Sequence, residues 1–189
     1  MTAHDSEAGA PRSADDAQLQ TLAGRFLSFR LAEEDYGLQI LDVREIIRMQ
    51  HITPVPCRPA FLRGVINLRG RIIPVVDLRC KFGMGLAETT PQSVIIVVQC
   101  ASLGGNTPTG VLVDEVVEVV DLSAAQLDPP PVYAGGALET EFVLGIGKIA
   151  DDVLFLLDIG RVLSTAENQL LADAATGAPP RPDSATPGT

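Results

Sequence analysis

The 189-residue chain contains no tryptophan, and phenylalanine and tyrosine together make up only 4% of it. Aliphatic side chains must therefore fill its core, which a chain of this length is large enough to bury. Only three cysteines occur, Cys57, Cys80 and Cys100. Their odd number and wide spacing predict reduced thiols, and exclude a disulfide framework or a cysteine-based zinc site.

Positive charge is also scarce, since the chain has 14 Lys and Arg residues but 24 Asp and Glu residues, which gives a net charge of −10. An acidic protein binds nucleic acid and anionic lipid poorly, so we expect no nucleic-acid partner. The imbalance is uneven: residues 25–88 carry ten basic and seven acidic residues, whereas residues 89–164 carry two and ten. This asymmetry can steer charged partners, and random drift of surface charge explains it equally well.

Long apolar runs are absent, which predicts no transmembrane helix and no direct insertion into a membrane. The N-terminus lacks a basic stretch followed by an apolar one, so we expect no secretory signal. Together with the unpaired cysteines, these features indicate a cytoplasmic protein.

No catalytic constellation is visible. His4 and His51 lie far apart, and the glycine-rich segments lack the patterns of phosphate-binding loops. Asp77, Asp114 and Asp158 each follow an apolar strand, where acid–base or metal chemistry is one explanation. Capping of a short helix is the better one, since such helices are predicted after Asp77 and Asp158. We therefore predict no enzyme activity, no catalytic residue, no metal site and no cofactor.

The chain does contain a weak internal repeat. An offset of 81 residues places Gly64 on Gly145, and an offset of 73 places Gly37 on Gly110. A repeat of this length predicts two similar structural units. A seam between two such units is a favourable place for a partner to bind.

Short alternating segments separated by turns predict an all-β protein built from small barrels. The predicted lobes span roughly residues 25–88 and 89–164, followed by a closing helix to residue 171. Residues 1–24 are predicted to be a flexible N-terminal tail, in which a weak helix before Phe26 is compatible with the sequence. Residues 172–189, rich in Ala, Pro, Gly, Ser and Thr, are predicted to be a disordered C-terminal tail.

Two segments are distinctive. Residues 67–71, NLRGR, predict a hairpin tip that exposes Arg69. A weak surface salt bridge to Asp77 or Glu45 and a two-pronged contact to a partner's carboxylate both explain this arginine. Residues 43–48, VREIIR, alternate apolar and charged side chains, which fits either core packing or an edge that receives another protein.

Taken in order, these segments resemble the CheW family, the adaptors that couple bacterial chemoreceptors to the CheA histidine kinase. The resemblance rests on residues 36–38 with Ile40, on 43–47, 52–56, Phe61, 63–70 (with NLRG), 73–79 (IPVVDLR), 110–116 and 156–158. It extends from about residue 26 to residue 163 without a missing block.

The resemblance implies two small five-stranded SH3-like β-barrel lobes with short helices and a C-terminal helix, residues 25–171 forming the CheW-like domain. It implies a non-enzymatic adaptor at receptor arrays on the inner face of the membrane. Its partners would be the regulatory domain of a CheA-type histidine kinase and the cytoplasmic tip of chemoreceptors (methyl-accepting chemotaxis proteins). The family's partner-binding positions that match here are Val43, Glu45, Gly64, Arg69, Gly110 and Val119.

Within that set, the resemblance implies that Val43 and Glu45 face the kinase or the receptor and that Arg69 helps hold the seam. No phosphotransfer or ATP-binding region of the kinase is recognisable, so the chain resembles the stand-alone adaptor. A double barrel that binds a small ligand or nucleic acid is the alternative. Titration with single-stranded oligonucleotide at low salt separates the two.

Overall fold

The computed structural model describes residues 14–56, 58–86, 88–99, 108–130 and 142–163. Regular structure in these residues is mostly β-strand, as predicted. The strands are β1 (Gly24–Leu31), β2 (Glu34–Gln39), β3 (Val43–Arg48), β4 (Leu62–Leu68), β5 (Arg71–Asp77), β6 (Val94–Val98), β7 (Thr109–Val113), β8 (Glu115–Leu122), β9 (Leu127–Asp128), β10 (Val143–Ile149) and β11 (Asp152–Leu157). The helices are α1 (Ala14–Leu22), α2 (Leu78–Lys81) and α3 (Ile159–Val162).

The strands form two sheets, and these are the two small SH3-like barrels that were expected. Barrel one has the strand order β8-β1-β2-β11-β10-β9, and barrel two has the order β3-β6-β7-β5-β4. Barrel two is five-stranded, as predicted. Barrel one gains a sixth strand because the two-residue β9 pairs with β10.

The two halves of the chain do not form separate barrels, so the predicted lobes 25–88 and 89–164 do not correspond to the sheets. Barrel one combines β1 and β2 with β8 to β11, whereas barrel two combines β3 to β5 with β6 and β7. The chain crosses between barrels after β2 and returns after β7. A repeat identifies equivalent strands, but it carries no information on which copies pair with each other.

The repeat itself is plain in the topology. The repeat makes β1, β2, β3, β4 and β5 equivalent to β6, β7, β8, β10 and β11, respectively. When each strand is exchanged for its equivalent, the order of barrel two becomes β8-β1-β2-β11-β10, which is the order of barrel one without β9. The parallel pairs Gly37–Leu156 and Gly110–Val75 are equivalent under this exchange. A Cβ atom would come within 3.0 Å of a neighbouring leucine at Gly37 and within 2.8 Å of an isoleucine at Gly110. Glycine at both places therefore permits close packing beside the parallel pairing.

Each barrel is closed by the chain segment that follows its edge strand. The segment after β3 pairs with β4, and β9, which follows β8, pairs with β10; both β4 and β10 contain a bulge. In barrel two, Thr53 and Val65 exchange backbone hydrogen bonds of 2.8 and 2.9 Å. In barrel one, Asp128 of β9 pairs with Ile146 at the equivalent position. A Cβ on Gly64, whose φ is +147°, would lie 2.2 Å from the carbonyl oxygen of Thr53. Closure of barrel two therefore requires glycine at this position.

Aliphatic side chains dominate the buried core, as the composition predicts. The largest cluster takes residues from both sheets and from α2 and α3, so the barrels share one hydrophobic seam. Aromatic rings concentrate there: the ring of Tyr36 lies 6.0 Å from that of Phe29, 5.9 Å from Phe82 and 5.7 Å from Phe155. Two smaller clusters fill the separate barrel interiors.

The segment predicted as a tail, residues 1–24, contains the helix that the sequence analysis placed before Phe26. Residues Ala14–Leu22 form α1, and Leu22 is 9% exposed because it packs in the cluster that contains Phe26 and Leu127. The helix contributes few side chains to the core, which agrees with the low apolar content of this segment. Residues 1–13, the remainder of the predicted closing helix after residue 163, and the predicted tail 172–189 lie outside the described residues.

Gly64→Ala is expected to lower the free energy of unfolding by more than about 2 kcal/mol, because the new Cβ overlaps a backbone carbonyl that forms the closure. Gly70→Ala is the control. Gly70 also has a positive φ, +84°, yet a Cβ at this position would have no neighbour within 4 Å, so backbone strain alone should cost about 1 kcal/mol. Chemical denaturation measures both losses. Equal losses would show that strain, and not contact with Thr53, requires glycine.

Candidate functional site

The six predicted partner-binding residues fall into three environments. Gly64 of β4 and Gly110 of β7 are buried, and both permit a close approach of neighbouring chain. Val43 and Glu45 are half-buried on β3, while Arg69 at the β4–β5 hairpin and Val119 on β8 are exposed. All except Val119 lie in barrel two. Only the last four can present side chains to a partner, so the two glycines shape the scaffold beneath the surface.

Arg69 and Glu45 form a two-pronged ion pair. The Arg69 Nη2 atom lies 2.9 Å from Glu45 Oε2, and Nη1 lies 3.3 Å from Oε1. Arg69 adopts a φ of +52° at the hairpin tip, where the Asn67 side chain accepts a hydrogen bond from the Gly70 amide. Of the two acidic partners considered from the sequence, Glu45 is the correct one. The pair joins the hairpin to β3, the strand at the opposite end of the sheet order, and so fastens the closed barrel.

The β3 edge combines an apolar side chain with basic ones. Ile46 is 44% exposed and lies between the exposed residues Arg44 and Arg48. Because the carboxylate of Glu45 is already engaged by Arg69, the outward charge of this strand is positive. We call the surface formed by β3 and the β4–β5 hairpin the basic edge.

The β8 edge of barrel one is its counterpart. Val119 is 50% exposed and Val117 is 43% exposed. The offset of 73 places Val119 on Ile46, so both barrels expose an aliphatic side chain at the same position. The neighbouring charges are acidic here, with Glu118 and Asp121 exposed on the same strand. We call this surface the acidic edge.

The most exposed of the large apolar residues in the described part of the chain was missed by the sequence reasoning. Leu41 is 90% exposed in the short turn of 3-10 helix that carries the chain from barrel one to barrel two. Its signal in the sequence is an apolar residue that falls between the alternating patterns of β2 and β3. It lies two residues before Val43, where β3 begins, and lines a shallow pocket together with Leu22 and Arg25.

The aspartates at strand ends are structural. Asp77 accepts a hydrogen bond from the Cys80 amide and Asp158 accepts one from the Arg161 amide, both at 3.1 Å, so the predicted caps are confirmed. Asp114 has a different role. Its Oδ2 atom accepts hydrogen bonds from the Ala32 amide at 2.7 Å and from Arg79 Nη1 at 3.1 Å, which ties the β1–β2 turn of barrel one to α2.

Within the part of the chain that the structure describes, no three His, Cys, Asp or Glu side chains are grouped so as to hold a metal ion. None of the described helices is long and apolar enough to cross a membrane. Burial, together with the neighbouring Asp77 carboxylate, raises the pKa of the Cys80 thiol above its ordinary value, which disfavours the reactive thiolate.

Comparison with known proteins is decisive for the family, because the family model described as CheW-like domain matches residues 25–167. This chain belongs to the CheW family. A protein named chemotaxis protein CheW from Klebsiella aerogenes is 37% identical over 156 residues, covering 82% of this chain and 91% of that protein. Protein FrzA from Myxococcus xanthus is 30% identical over 149 residues, covering 78% of this chain and 89% of that protein.

A solved CheW structure supports the same conclusion. The crystal structure of the scaffolding protein TtCheW from Thermoanaerobacter tengcongensis matches with a TM-score of 0.67 and 36% sequence identity. The match covers 77% of this chain and 90% of that one. The CheW resemblance and the double-barrel fold inferred from the sequence are thus confirmed.

The pair Glu45–Arg69 is expected to add little stability, because Arg69 is 78% exposed. A double-mutant cycle with Glu45→Ala and Arg69→Ala should give a coupling energy of about 0.2–1 kcal/mol. The measurement is denaturation of the four proteins in the cycle. A coupling energy above about 2 kcal/mol would mean that the pair is a structural lock, beyond what an exposed pair supplies.

Asp42 lies in the turn before β3. Burial raises the pKa of Asp42, and the Asp158 carboxylate raises it further. The folded state therefore holds this proton more tightly than the unfolded state. The stabilisation that comes from protonated Asp42 is fully present below the unfolded pKa, and it is lost as the pH rises through the folded pKa.

Asp42→Asn should accordingly raise the free energy of unfolding at pH 7, and this gain should shrink as the pH falls through the raised folded pKa and be absent below the unfolded pKa of about 3.9. Denaturation of both proteins at several pH values is the measurement. A gain of equal size at every pH would show that the amide group, and not the missing charge, is responsible.

Proposed function

We propose that this chain is a non-enzymatic adaptor that couples chemoreceptors to a CheA-type histidine kinase in a bacterial signalling array. The observation that carries the proposal is the pair of edges: each barrel exposes an aliphatic residue at the same place on its edge strand, Ile46 on β3 and Val119 on β8. Exposed apolar groups beside charged ones are typical of protein-binding surfaces. Membership of the CheW family and the names of its chemotaxis relatives support the same role.

Two edges suit an adaptor because they are separate and differ in charge. The basic edge carries Arg44 and Arg48 beside Ile46, whereas the acidic edge carries Glu118 and Asp121 beside Val119. Opposite charges give each edge a preference for a different partner surface, since like charges across an interface are unfavourable. The kinase regulatory domain and the receptor tip would therefore bind different edges.

Coupling requires that a partner bound at one edge affects the other. The shared hydrophobic cluster spans both barrels, and the Asp114 carboxylate links the β1–β2 turn of barrel one to Arg79 of α2. Because the two barrels are connected in this way, a shift of one barrel is passed on to the other. A partner that prefers one arrangement then biases binding at the second edge.

Each predicted partner-binding residue has a place in this scheme. Glu45 and Arg69 set the shape of the basic edge, and Val119 is the apolar anchor of the acidic edge. Val43 packs partly against the shared cluster, so it connects the basic edge to the seam. Gly64 and Gly110 act below the surface by permitting closure and strand pairing. Location at arrays on the inner face of the membrane would follow from binding to receptors.

The alternative of a nucleic-acid-binding double barrel gains no support. Stacking on bases needs exposed aromatic rings, and the large exposed hydrophobic residues in the described part of the chain are all aliphatic.

We expect Arg69→Glu and Val119→Asp each to weaken binding to one partner by at least about tenfold, since a charge reversal or a buried charge at an interface costs over about 1.4 kcal/mol. Arg69→Glu places two carboxylates together, and Val119→Asp puts a charge in the apolar contact. Binding is measured separately with a CheA-type regulatory domain and with a receptor cytoplasmic fragment. Both variants should abolish receptor-dependent stimulation of kinase autophosphorylation.

Val153→Asp is the matched control, because Val153 of β11 is 47% exposed but lies on neither edge. It should retain both interactions. Circular dichroism and denaturation confirm that all three variants remain folded. Normal receptor-dependent kinase control by Arg69→Glu and Val119→Asp would remove both edges from the adaptor site.

A further inference from the structure

A cavity of about 710 Å³ lies beside the closure of barrel two, and none of the residues that line it belongs to the six predicted partner-binding positions. One wall is the chain that follows β3, and the others are the connector before β4, the strand β4 itself and the segment before β6. The side chains that give the cavity its chemical character are Met49, His51, Ile52, Arg58, Arg63 and Leu86. Its volume is within the usual range for small-molecule sites.

The internal repeat shows that the equivalent region of barrel one has a different structure. The offset of 81 places Arg63 on Leu144, and strand pairing at the closure places Ile52 on Leu127. In barrel one, Leu144 packs against the cluster that contains Leu127 and Leu22 of α1, so a helix covers this region. In barrel two the equivalent region is open, and an arginine stands where barrel one has a leucine.

The charged side chains that line the cavity are basic. Arg58 donates from Nη1 to the carbonyl oxygen of Leu62, and Arg63 Nη1 lies 3.4 Å from Asp77 Oδ2. Each of these contacts uses one nitrogen of a guanidinium that carries five N–H donors. Asp77 is fully buried and caps α2, so it does not line the cavity. Exposed Glu88 is next in sequence to the lining residue Thr89 but is not itself in the lining.

We propose that this cavity binds a small organic anion that carries a phosphoryl group. Guanidinium groups match phosphoryl oxygens with paired N–H donors, and two of them reach this cavity. Met49, Ile52 and Leu86 supply apolar surface for the organic part of the ligand. Because the whole chain carries a charge of −10, non-specific attraction of anions is unfavourable. Binding must come from the local arginines.

The test uses the full-length chain and calorimetric titration at fixed ionic strength. The probes are inorganic pyrophosphate, adenosine monophosphate and, as a carboxylate control, citrate. We expect saturable binding of both phosphoryl probes, and weaker binding of citrate. Citrate binding as tight as either phosphoryl probe, or no saturable binding of the phosphoryl probes, would overturn the proposal.

Variants locate the site. Arg58→Gln and Thr89→Asp should each weaken phosphoryl binding about tenfold, the first by removing a charged donor and the second by adding a negative charge to the wall. Thr89→Asp leaves both arginine contacts in place, so it reports on the cavity even where Arg58→Gln disturbs the connector. Arg71→Gln, on the exposed hairpin, is the matched control and should bind normally, as should Val119→Asp. Unchanged binding by both Arg58→Gln and Thr89→Asp would refute the cavity as the site.

Discussion

The parallel pairing of β2 with β11 and of β5 with β7 is the constraint on which the rest of the structure depends. Each of these pairings joins strands from opposite halves of the chain, so neither barrel can be completed by one half alone. The crossing chain segments draw the barrels together over a single hydrophobic cluster that takes side chains from both sheets. Gly37 and Gly110 stand at equivalent places in the two pairings, where a side chain would meet the neighbouring strand. Two small barrels that are each marginal in size gain stability from this shared core.

The same exchange decides which surfaces are left for partners. Because β2 and β7 are taken into the interior of the sheets, the strands that follow them, β3 and β8, come to the ends of the strand orders. An edge strand with an exposed aliphatic side chain is a liability for a solitary protein, and charges beside it limit indiscriminate pairing. Here Arg44 and Arg48 flank Ile46, while Glu118 and Asp121 flank Val119. The edges therefore combine an apolar contact with charges that select the partner.

Sequence reasoning could predict what local chemistry dictates. It placed the β4–β5 hairpin and the caps at Asp77 and Asp158, because turns and caps depend on near neighbours in the sequence. For Arg69 it left open a salt bridge within the chain and a contact to a partner's carboxylate, and the structure shows the salt bridge to Glu45. It failed where distant chain segments decide the result. The exchange of strands between the two halves depends on long-range packing, which composition and periodicity do not record.

Divergence between equivalent residues explains how one repeated backbone gives two different surfaces. Arg69 and Ala150 occupy the same position in the two hairpins, and both have a φ of +52°. The backbone requirement is thus identical, but only barrel two places a guanidinium there to engage the glutamate of its edge strand. The equivalent of Glu45 in barrel one is Glu118, which is exposed. A single change from arginine to alanine at the hairpin tip therefore leaves one edge with an engaged carboxylate and the other with an exposed one. Electrostatic selection between two partners follows from that difference without any change in fold.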